Sequence, residues 1–484
     1  MTIFPGAGGL VFNEPLLWEK GKKGRCGLSL PQTDVPAAAL DESLTAETPD
    51  LPDLSELEIV RHYTRLSQWN VGVDSVFYPL GSCTMKYNPK INEKLAGLAG
   101  LAEAHPLLPV ELNQGPLKLI YDMERFLAAI TGLDAVSLQP TAGAHGELTG
   151  MLILNAYHHH LGRPRSKIIV PDTAHGTNPA SAAMCGLTPV NVKSGERGVL
   201  TPQAVTEVMD EDTAGVMITN PNTLGLFEEH IKEIADIVHG RGGLVYLDGA
   251  NLNAVMGIVH QGRAGVDVMH LNLHKTFSTP HGGGGPGAGP VCVNQNLARF
   301  LPVPRVVEKE GRYLVSEDFP DSVGRLHAFH GNFGVIVKAY CYILSLGPDL
   351  KKVSQLAVLN ANYLKEKLKG TLHLPYDRPC LHECVFSDKY QKGHKTTTLD
   401  LVKGLMDYGF HPPTIYFPLV VPGAIMIEPT ETETKEELDL FIEAFQAVAA
   451  EAEADPESLR RAPKRTKVTR LDETAAARRP CLAG

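Results

Sequence analysis

Val268-Met-His-Leu-Asn-Leu-His274-Lys275-Thr276 carries an apolar run into a basic end. The run reads as a buried strand, and the strand delivers a lysine. A lysine emerging there is either a solvated end-of-strand residue or an amine whose pKa is depressed by burial. Behind it lies Phe277-Ser-Thr-Pro-His-Gly-Gly-Gly-Gly-Pro-Gly-Ala-Gly289, a loop in which glycine lets backbone pass close to a ligand or a second chain. It matches no Walker loop, whose lysine follows a GxxxxG run.

Upstream, similar short apolar runs alternate with helical stretches, the pattern of a parallel α/β sheet. Strands are expected near Ala135–Leu138, Lys167–Val170, Pro189–Val192, Gly215–Thr219, Leu244–Leu247, Val266–Leu271 and Val291–Val293. Helices are expected between them, at Leu148–Leu161, Pro202–Met209 and Glu229–His239, the last with Ile231, Ile234, Ala235 and Val238 on one face. Residues 1–60, rich in Pro, Gly and acidic side chains, read as an extended arm, and 61–130 as a helical lead-in. Residues 131–333 form the large α/β domain. Helices at Gly334–Leu346 and Leu356–Leu368 open a smaller α+β domain over 334–454, and 455–484 is a basic tail holding eight basic and four acidic residues.

Composition narrows the function classes. The 484 residues carry 45 basic and 55 acidic side chains, a net charge of −10, which speaks against general nucleic-acid binding. Apolar residues at 43% exclude a largely disordered chain. Uninterrupted apolar runs fall short of the ~18 residues of a membrane span, and the first residues lack the basic-then-apolar order of a secretion signal. A cytoplasmic protein with no membrane partner is expected. Eight cysteines without CxxC spacing read as reduced thiols rather than a disulfide framework or zinc ribbon, and no metal site is expected. His158-His159-His160 reads as a solvated surface, since adjacent helix positions do not face one another.

Ligands in such a sheet bind outside the carboxyl ends of its strands, and four more strand ends carry chemistry. Gln139-Pro-Thr-Ala-Gly-Ala-His-Gly-Glu147 opens a helix, where backbone amides and the Thr141 hydroxyl can face an anion. Asp172-Thr-Ala-His-Gly-Thr-Asn-Pro-Ala-Ser181 offers His175 as a ligand, an acid–base group, a flat stacking surface or an ordinary turn histidine. Asn220-Pro-Asn-Thr-Leu-Gly225 offers side-chain amides. Asp248-Gly-Ala-Asn251 brings a carboxylate out of an apolar strand, where it needs a cationic or hydrogen-bonding partner. Singly these signals are modest. Together, an anion cradle, a stacking ring, a buried carboxylate and an amine describe pyridoxal 5'-phosphate: its phosphate, its ring, its pyridinium nitrogen and its aldehyde.

Several stretches also resemble the P-protein family of glycine cleavage systems, in its form with a separate cofactor-bearing second subunit. They are Tyr78-Pro-Leu-Gly-Ser-Cys-Thr-Met-Lys-Tyr-Asn-Pro89, Ala174-His-Gly-Thr-Asn-Pro-Ala-Ser181, Ile218-Thr-Asn-Pro-Asn-Thr-Leu-Gly-Leu-Phe-Glu228, Leu273-His-Lys275 and Met426-Ile-Glu-Pro-Thr-Glu431. The resemblance implies a fold-type-I, aminotransferase-like large domain. It implies decarboxylation of glycine with transfer of the aminomethyl group to the lipoyl arm of a carrier, the H-protein. A first subunit of similar fold would complete an α2β2 assembly, with the arm as an interface element.

The roles it implies are specific. Lys275 would bond the cofactor aldehyde, and Asp248 would keep the ring nitrogen protonated. His175 would stack on one ring face, with Ala250 on the other. Thr141, Ala142, Gly143 and Thr276 would hold the phosphate. His274 would orient the substrate carboxylate or move a proton, and Asn220 and Asn251 would lie near the ring hydroxyl. Thr141 and His145 stand where serine and glutamine are common in the family. Cys83, in a family-like segment, is either ordinary packing or a residue at the site.

Two enzyme alternatives and one other class stand beside this reading. A stand-alone fold-type-I decarboxylase or lyase would share the lysine, aspartate and histidine, differing in needing no lipoyl carrier. A non-catalytic support subunit would have no use for Lys275. A nicotinamide dehydrogenase is disfavoured, since no GxGxxG run follows directly on a strand with an acidic residue about 20 positions further.

Overall fold

Strand β4 (Thr213–Thr219) is buried along its whole length, as a strand covered on both faces must be. Ala214 and Met217 enter one apolar cluster, and Val216 and Ile218 enter the other. Gly215 is required there: a Cβ would sit 2.0 Å from the Leu244 carbonyl oxygen. The computed structural model describes residues 4–5, 13–47, 49–282 and 287–480. Residues 283–286 of the glycine-rich loop and Cys481 lie outside the described residues.

The sheet is built from β1 (Ala135–Ser137), β2 (Lys167–Pro171), β3 (Thr188–Val192), β4, β5 (Leu244–Gly249), β6 (Val268–Leu271) and β7 (Val291–Val293). Its order is β1-β7-β6-β5-β4-β2-β3. All seven expected strands are present. One expectation is corrected: the sheet is mixed, because β7 pairs antiparallel with both β1 and β6. The connection from β6 to β7 crosses no sheet-covering helix; it is the short helix Leu273–Thr276 and the glycine-rich loop, so the chain turns back beside β6.

Helices Gln114–Thr131 and Ile231–Gly240 cover one face, and Gly143–His160 the other. Ile231, Ile234, Ala235 and Val238 are the buried residues of their helix, as their spacing predicts. Gln114–Thr131 ends at Gly132, whose φ of 72° supplies the left-handed cap and whose N–H bonds to Ala128. The helix expected from Leu148 starts five residues earlier, at Gly143, because the small residues ahead of it already have helical backbone.

Helices Phe333–Leu346 and Leu350–Leu368 follow, the second starting ahead of the expected Leu356. Together they are long and apolar enough, by length and composition, to cross a membrane. The chain breaks at Gly347 (φ 50°), however, and Val335, Ile336, Ala339 and Val353 are buried in the large core. The smaller unit is a three-stranded antiparallel sheet, β10 (Cys384–Ser387), β12 (Ala424–Ile427) and β11 (Thr414–Ile415), backed by helices Thr398–Met406 and Lys435–Ala454. Between the two units lies the hairpin β8 (Arg305–Lys309) and β9 (Arg312–Ser316).

The arm has little regular structure before the helix Glu56–Ser67, which is opened by a reciprocal Ser55–Glu58 capping box. Trp18, Leu28, Leu30, Val35, Leu40, Leu44 and Leu51 are exposed along it. Glu14 anchors it, accepting from Lys20, His62 and Arg65.

Candidate active site

The amine of Lys275 lies at the carboxyl end of β6, on the one-turn helix Leu273–Thr276. The residue is 9% exposed, and its Nζ donates to the Ser82 carbonyl at 2.8 Å. The amine is thus buried and held against backbone rather than left in solvent.

Asp248 ends β5, one strand away, and is 1% exposed. Its Oδ2 accepts from Asn178 Nδ2 at 3.0 Å and its Oδ1 from the Ala250 N–H at 3.0 Å. His270 Nε2 lies 3.5 Å from Oδ1, while the other ring nitrogen shares a 2.7 Å hydrogen bond with the Tyr246 hydroxyl. Burial holds the His270 pKa below its ordinary value, so the ring is neutral beside the carboxylate. The carboxylate thus keeps its hydrogen bonds in a dry interior.

His175 sits in the turn after β2. Its Nδ1 shares a 2.8 Å hydrogen bond with the Thr177 hydroxyl, which donates to Glu147 at 2.7 Å. The charges of both Asp248 and Lys275 act on His175, which brings the three groups into one site, while burial, the larger influence, lowers the histidine's pKa. Burial, reinforced by Asp248, raises the Glu147 carboxyl to about 7. Ala250 is buried just beyond β5. Asn220 and Asn251 are buried at the ends of β4 and β5, and each spends part of its amide on scaffold: Asn220 Oδ1 accepts from Glu228 N at 3.0 Å, and Asn251 Nδ2 donates to Pro221 O at 2.9 Å.

The segment read as a cradle opens a helix. The helix Gly143–His160 follows Ala142, whose side chain offers its first-turn amides no cap. A Cβ on Gly143 would fall 2.8 Å from the Asn272 side-chain amide. Gly289 presses on the same turn, since a Cβ there would lie 2.0 Å from the Ala142 carbonyl oxygen. Asn332 Nδ2 donates to Gly287 O at 2.6 Å and to Thr141 O at 3.4 Å, tying the glycine-rich loop to the cradle. The Thr276 hydroxyl is buried and has no partner among the described residues. An orphaned donor and an uncapped helix N-terminus fit a phosphate. With a buried lysine and a carboxylate held by two N–H donors, the residues present fit pyridoxal phosphate.

His274 Nδ1 accepts from Ala288 N at 3.2 Å, which leaves Nε2 as the protonated nitrogen. Burial, with His281 and Lys275 adding to it, lowers its pKa to about 3. His281 packs edge-on against it at 5.2 Å and is lowered to about 4, first by burial and then by Lys275.

Sequence reasoning passed over the residues that surround Lys275 from elsewhere in the chain. Gly81–Thr84 forms a strap over it, with Ser82 (φ 65°) and Thr84 (φ 50°) both left-handed. Ser82 N donates to Glu383 Oε2 at 2.8 Å, and Thr84 N and Oγ1 donate to the Glu428 carboxylate at 2.9 and 2.6 Å. Cys83, in the strap, feels the Lys275 charge, but burial dominates and raises its thiol to about 11. Lys86 Nζ, also buried, reaches Asn253 Oδ1, the Thr276 carbonyl and Glu431 Oε1 at 2.9, 2.9 and 2.7 Å. The motif segments 78–89 and 426–431 were the available signal; their side-chain partners were not legible in them.

One other expectation is corrected. His158 is not solvated: it is 2% exposed and its Nε2 hydrogen-bonds the Ala214 carbonyl at 2.8 Å, with His159 and His160 exposed beside it. The start of the basic tail packs on the smaller unit, with Leu459 and Ala462 buried and Arg470 donating to Asp400 at 2.6 Å.

The family profile described as "Glycine cleavage system P-protein" matches residues 29–310, and "Glycine dehydrogenase, C-terminal domain" matches 353–467. A protein of Caldanaerobacter subterraneus subsp. tengcongensis named "Probable glycine dehydrogenase (decarboxylating) subunit 2" is 57% identical over 474 residues, covering 96% of this chain and 98% of its own. One of the same name from Bacillus licheniformis is 55% identical, covering 97% and 98%. Among solved structures, an inhibitor-bound glycine decarboxylase (P-protein) of the glycine cleavage system aligns with a TM-score of 0.72 at 20% identity, covering 84% of this chain and 92% of that one. An aspartate aminotransferase from Thermus thermophilus aligns at 0.58 and 14% identity, covering 78% and 99%. The structural likenesses show a fold-type-I architecture with a smaller C-terminal α+β domain. The profile spans more than half the sequence and the relatives nearly all of it: the chain belongs to the glycine cleavage system P-protein family.

Proposed function

We propose that this chain is the catalytic, cofactor-bearing subunit of a two-subunit glycine dehydrogenase (decarboxylating). The carrying observation is the convergence of Lys275, Asp248 and the uncapped turn at Gly143 in one buried site, in a chain 57% identical to a probable subunit 2. The overall reaction takes glycine, the lipoyl disulfide of the H-protein and one proton to CO2 and the aminomethyl-dihydrolipoyl carrier. The bond from the α-carbon to the carboxylate breaks, its electron pair forms the new C–S bond, the S–S bond breaks, and the departing sulfur takes the proton.

Pyridoxal phosphate, when bound, supplies an electron sink for the pair left on the α-carbon as CO2 departs. The chain's own residues do the rest. Lys275 would be the residue that holds the aldehyde end of the cofactor, next to where the amine of glycine binds. Asp248, kept as an acceptor by Asn178 and Ala250, holds a proton on the ring nitrogen. His175 and Ala250 would cover the two ring faces, and Asn220 and Asn251 would stand near the ring hydroxyl. Thr141, Ala142, Gly143 and Thr276 take the phosphate. Neutral at working pH, His274 offers its Nε2 proton to the substrate carboxylate or for transfer. Burial of this set keeps water from the α-carbon, which would otherwise be protonated before meeting the disulfide.

The partner is glycine dehydrogenase subunit 1, in an α2β2 assembly working in the cytoplasm. The exposed apolar side chains of the arm support its use as an interface. An arm over 1–60, a lead-in over 61–130, a large domain over 131–333, a small domain over 334–454 and a tail over 455–484 go with this reading. Core packing supports setting the small domain's limits slightly later, since Val353 joins the large core and Leu459 and Ala462 the small one.

The test is a visible absorption spectrum of the purified chain with pyridoxal phosphate, with and without glycine, then with subunit 1 added. A Schiff-base band lost in Lys275→Ala, and responding to glycine once subunit 1 is present, is the expected result. No band under any condition would refute the reading and favour a support subunit. A full glycine-decarboxylating turnover needing neither carrier nor partner would favour a stand-alone decarboxylase.

A further inference from the structure

The strap over Lys275 joins three parts of the chain. It comes from the lead-in segment, it touches a lysine of the large domain, and it is pinned by two glutamates of the small one. Glu383 directly precedes β10, and Glu428 directly follows β12; both are fully buried. Each carboxylate takes a strap amide, Ser82 N on Glu383 and Thr84 N on Glu428. The carbonyl between those amides, that of Ser82, accepts from Lys275. Two left-handed residues one position apart, Ser82 and Thr84, neither of them glycine, are a conformation that persists only where surroundings impose it. Here the surroundings are the two carboxylates.

Glue between strap and sheet does not call for carboxylates. An asparagine or serine would accept the same N–H bonds without the cost of burying charge. The groups facing the pair are few. His382 is wholly buried, its ring nitrogens are unpartnered, and Nε2 lies 3.9 and 4.0 Å from Glu383 and Glu428. Burial lowers it to about 3, so it brings no charge. Cys83 stays a neutral thiol, and Lys86, paired with Glu431, also acts on Glu428. Lys275 acts on both glutamates. Burial raises both carboxyls, Glu383 further by its neighbour Glu428, and the charge of Lys275 draws both back down.

We infer that Glu383 and Glu428 are positioning residues for Lys275: through the Gly81–Thr84 strap they aim the Ser82 carbonyl at its amine. The amine then has a fixed acceptor whenever it is not bonded to the cofactor, and the small domain sets where it waits. The inference rests on the proposed function only in taking Lys275 as the reacting amine.

The test uses the full chain with no cofactor. Reductive methylation of Lys275 by formaldehyde and a borane is followed by mass spectrometry, alongside hydrogen exchange of peptide 80–86. In Glu383→Ala and Glu428→Ala, strap exchange accelerates and Lys275 methylates about ten-fold faster, the scale of one hydrogen bond to a charged group. Glu383→Gln and Glu428→Gln, each of which keeps one oxygen acceptor for the strap N–H, stay within about two-fold of the parent, and Thr84→Val, which keeps the carboxylate, falls between. If the alanine variants do not fold, the valine and glutamine variants decide. Faster strap exchange with unchanged Lys275 reactivity would reduce the pair to glue and overturn the inference, as would an unchanged strap. Uptake of pyridoxal phosphate is measured separately; a parent chain that takes up none would sink the proposed function and leave the methylation result standing.

Discussion

Replacing Lys86 with methionine probes the support beneath the site. The ammonium is buried and divides its donors among Glu431, Asn253 and the Thr276 carbonyl, with the Tyr342 hydroxyl at 3.5 Å. Lys86→Met leaves Glu431 Oε1 with the Tyr342 hydroxyl at 3.3 Å, and Oε2 with Asn253 Nδ2 at 3.4 Å, both long bonds. Breaking a buried pair from one side costs about 3–5 kcal/mol, and the partial cover from Tyr342 and Asn253 places this one near the lower figure. Glu431→Gln keeps an acceptor for the ammonium and costs less, about 1–2 kcal/mol. Lys86→Met/Glu431→Gln removes both charges and costs about 2–3 kcal/mol, less than the sum of the singles by a coupling energy of about 2 kcal/mol. Urea unfolding of the cofactor-free chain supplies the three values.

The same pair predicts its own pH dependence. Burial pushes the Lys86 pKa down, but Glu431 and Tyr342 outweigh it, and the value ends above the ordinary 10.5. A raised lysine pKa contributes stability that is complete below the unfolded value and lost only as pH rises through the folded one. The Lys86→Met deficit is therefore constant between pH 6 and 9, on the scale of ordinary lysine titration above about 10. A deficit under about 1 kcal/mol, or a double variant as damaged as the sum of the singles, would refute the reasoning.

Three further outcomes are expected. Glu147→Gln becomes progressively more stable than the parent as pH rises from 4.5 to about 7 and keeps that advantage above, by about 1–3 kcal/mol, because the parent carboxyl must ionise while buried beside Asp248; parallel melts across pH check it, and a constant difference would contradict it. Gly289→Ala forces a Cβ to within 2.0 Å of the Ala142 carbonyl oxygen, so the cradle turn must move, and affinity for pyridoxal phosphate falls by at least about ten-fold while the large core stays folded. Asp248→Ala leaves Asn178 and the Ala250 N–H without their acceptor and removes the partner for the ring nitrogen; turnover drops by at least about 100-fold, measured as CO2 released from glycine in the assembled complex.

Much of the sheet was legible because buried strands announce themselves in apolar runs. All seven strands were placed, and β4 and β5 were found within two residues. The direction of β7 was not, since Val291–Val293 has the same composition whichever way it runs; only the connection decides it. The site divides in the same way. Lys275, Asp248, His175 and the Gly143 turn each stand at a strand end, a position sequence periodicity can locate. Glu383, Glu428 and the strap meet only after the small domain folds over the large one, across separations of about 300 residues, as between Ser82 and Glu383. His158 failed for a related reason: its neighbours at 159 and 160 are solvated, but its own ring turns inward to a β4 carbonyl that helix spacing alone does not reveal.

The uncovered side chains of the arm bear on how cells must supply this protein. Trp18 and the leucines at 28, 30, 40, 44 and 51 expose hydrocarbon along a stretch with few contacts of its own. Such a surface self-associates when made in excess. Production in step with subunit 1 would keep the arm occupied, whereas a surplus of this chain would be lost to precipitation or proteolysis, so the yield of working complex would follow the scarcer subunit rather than the total made.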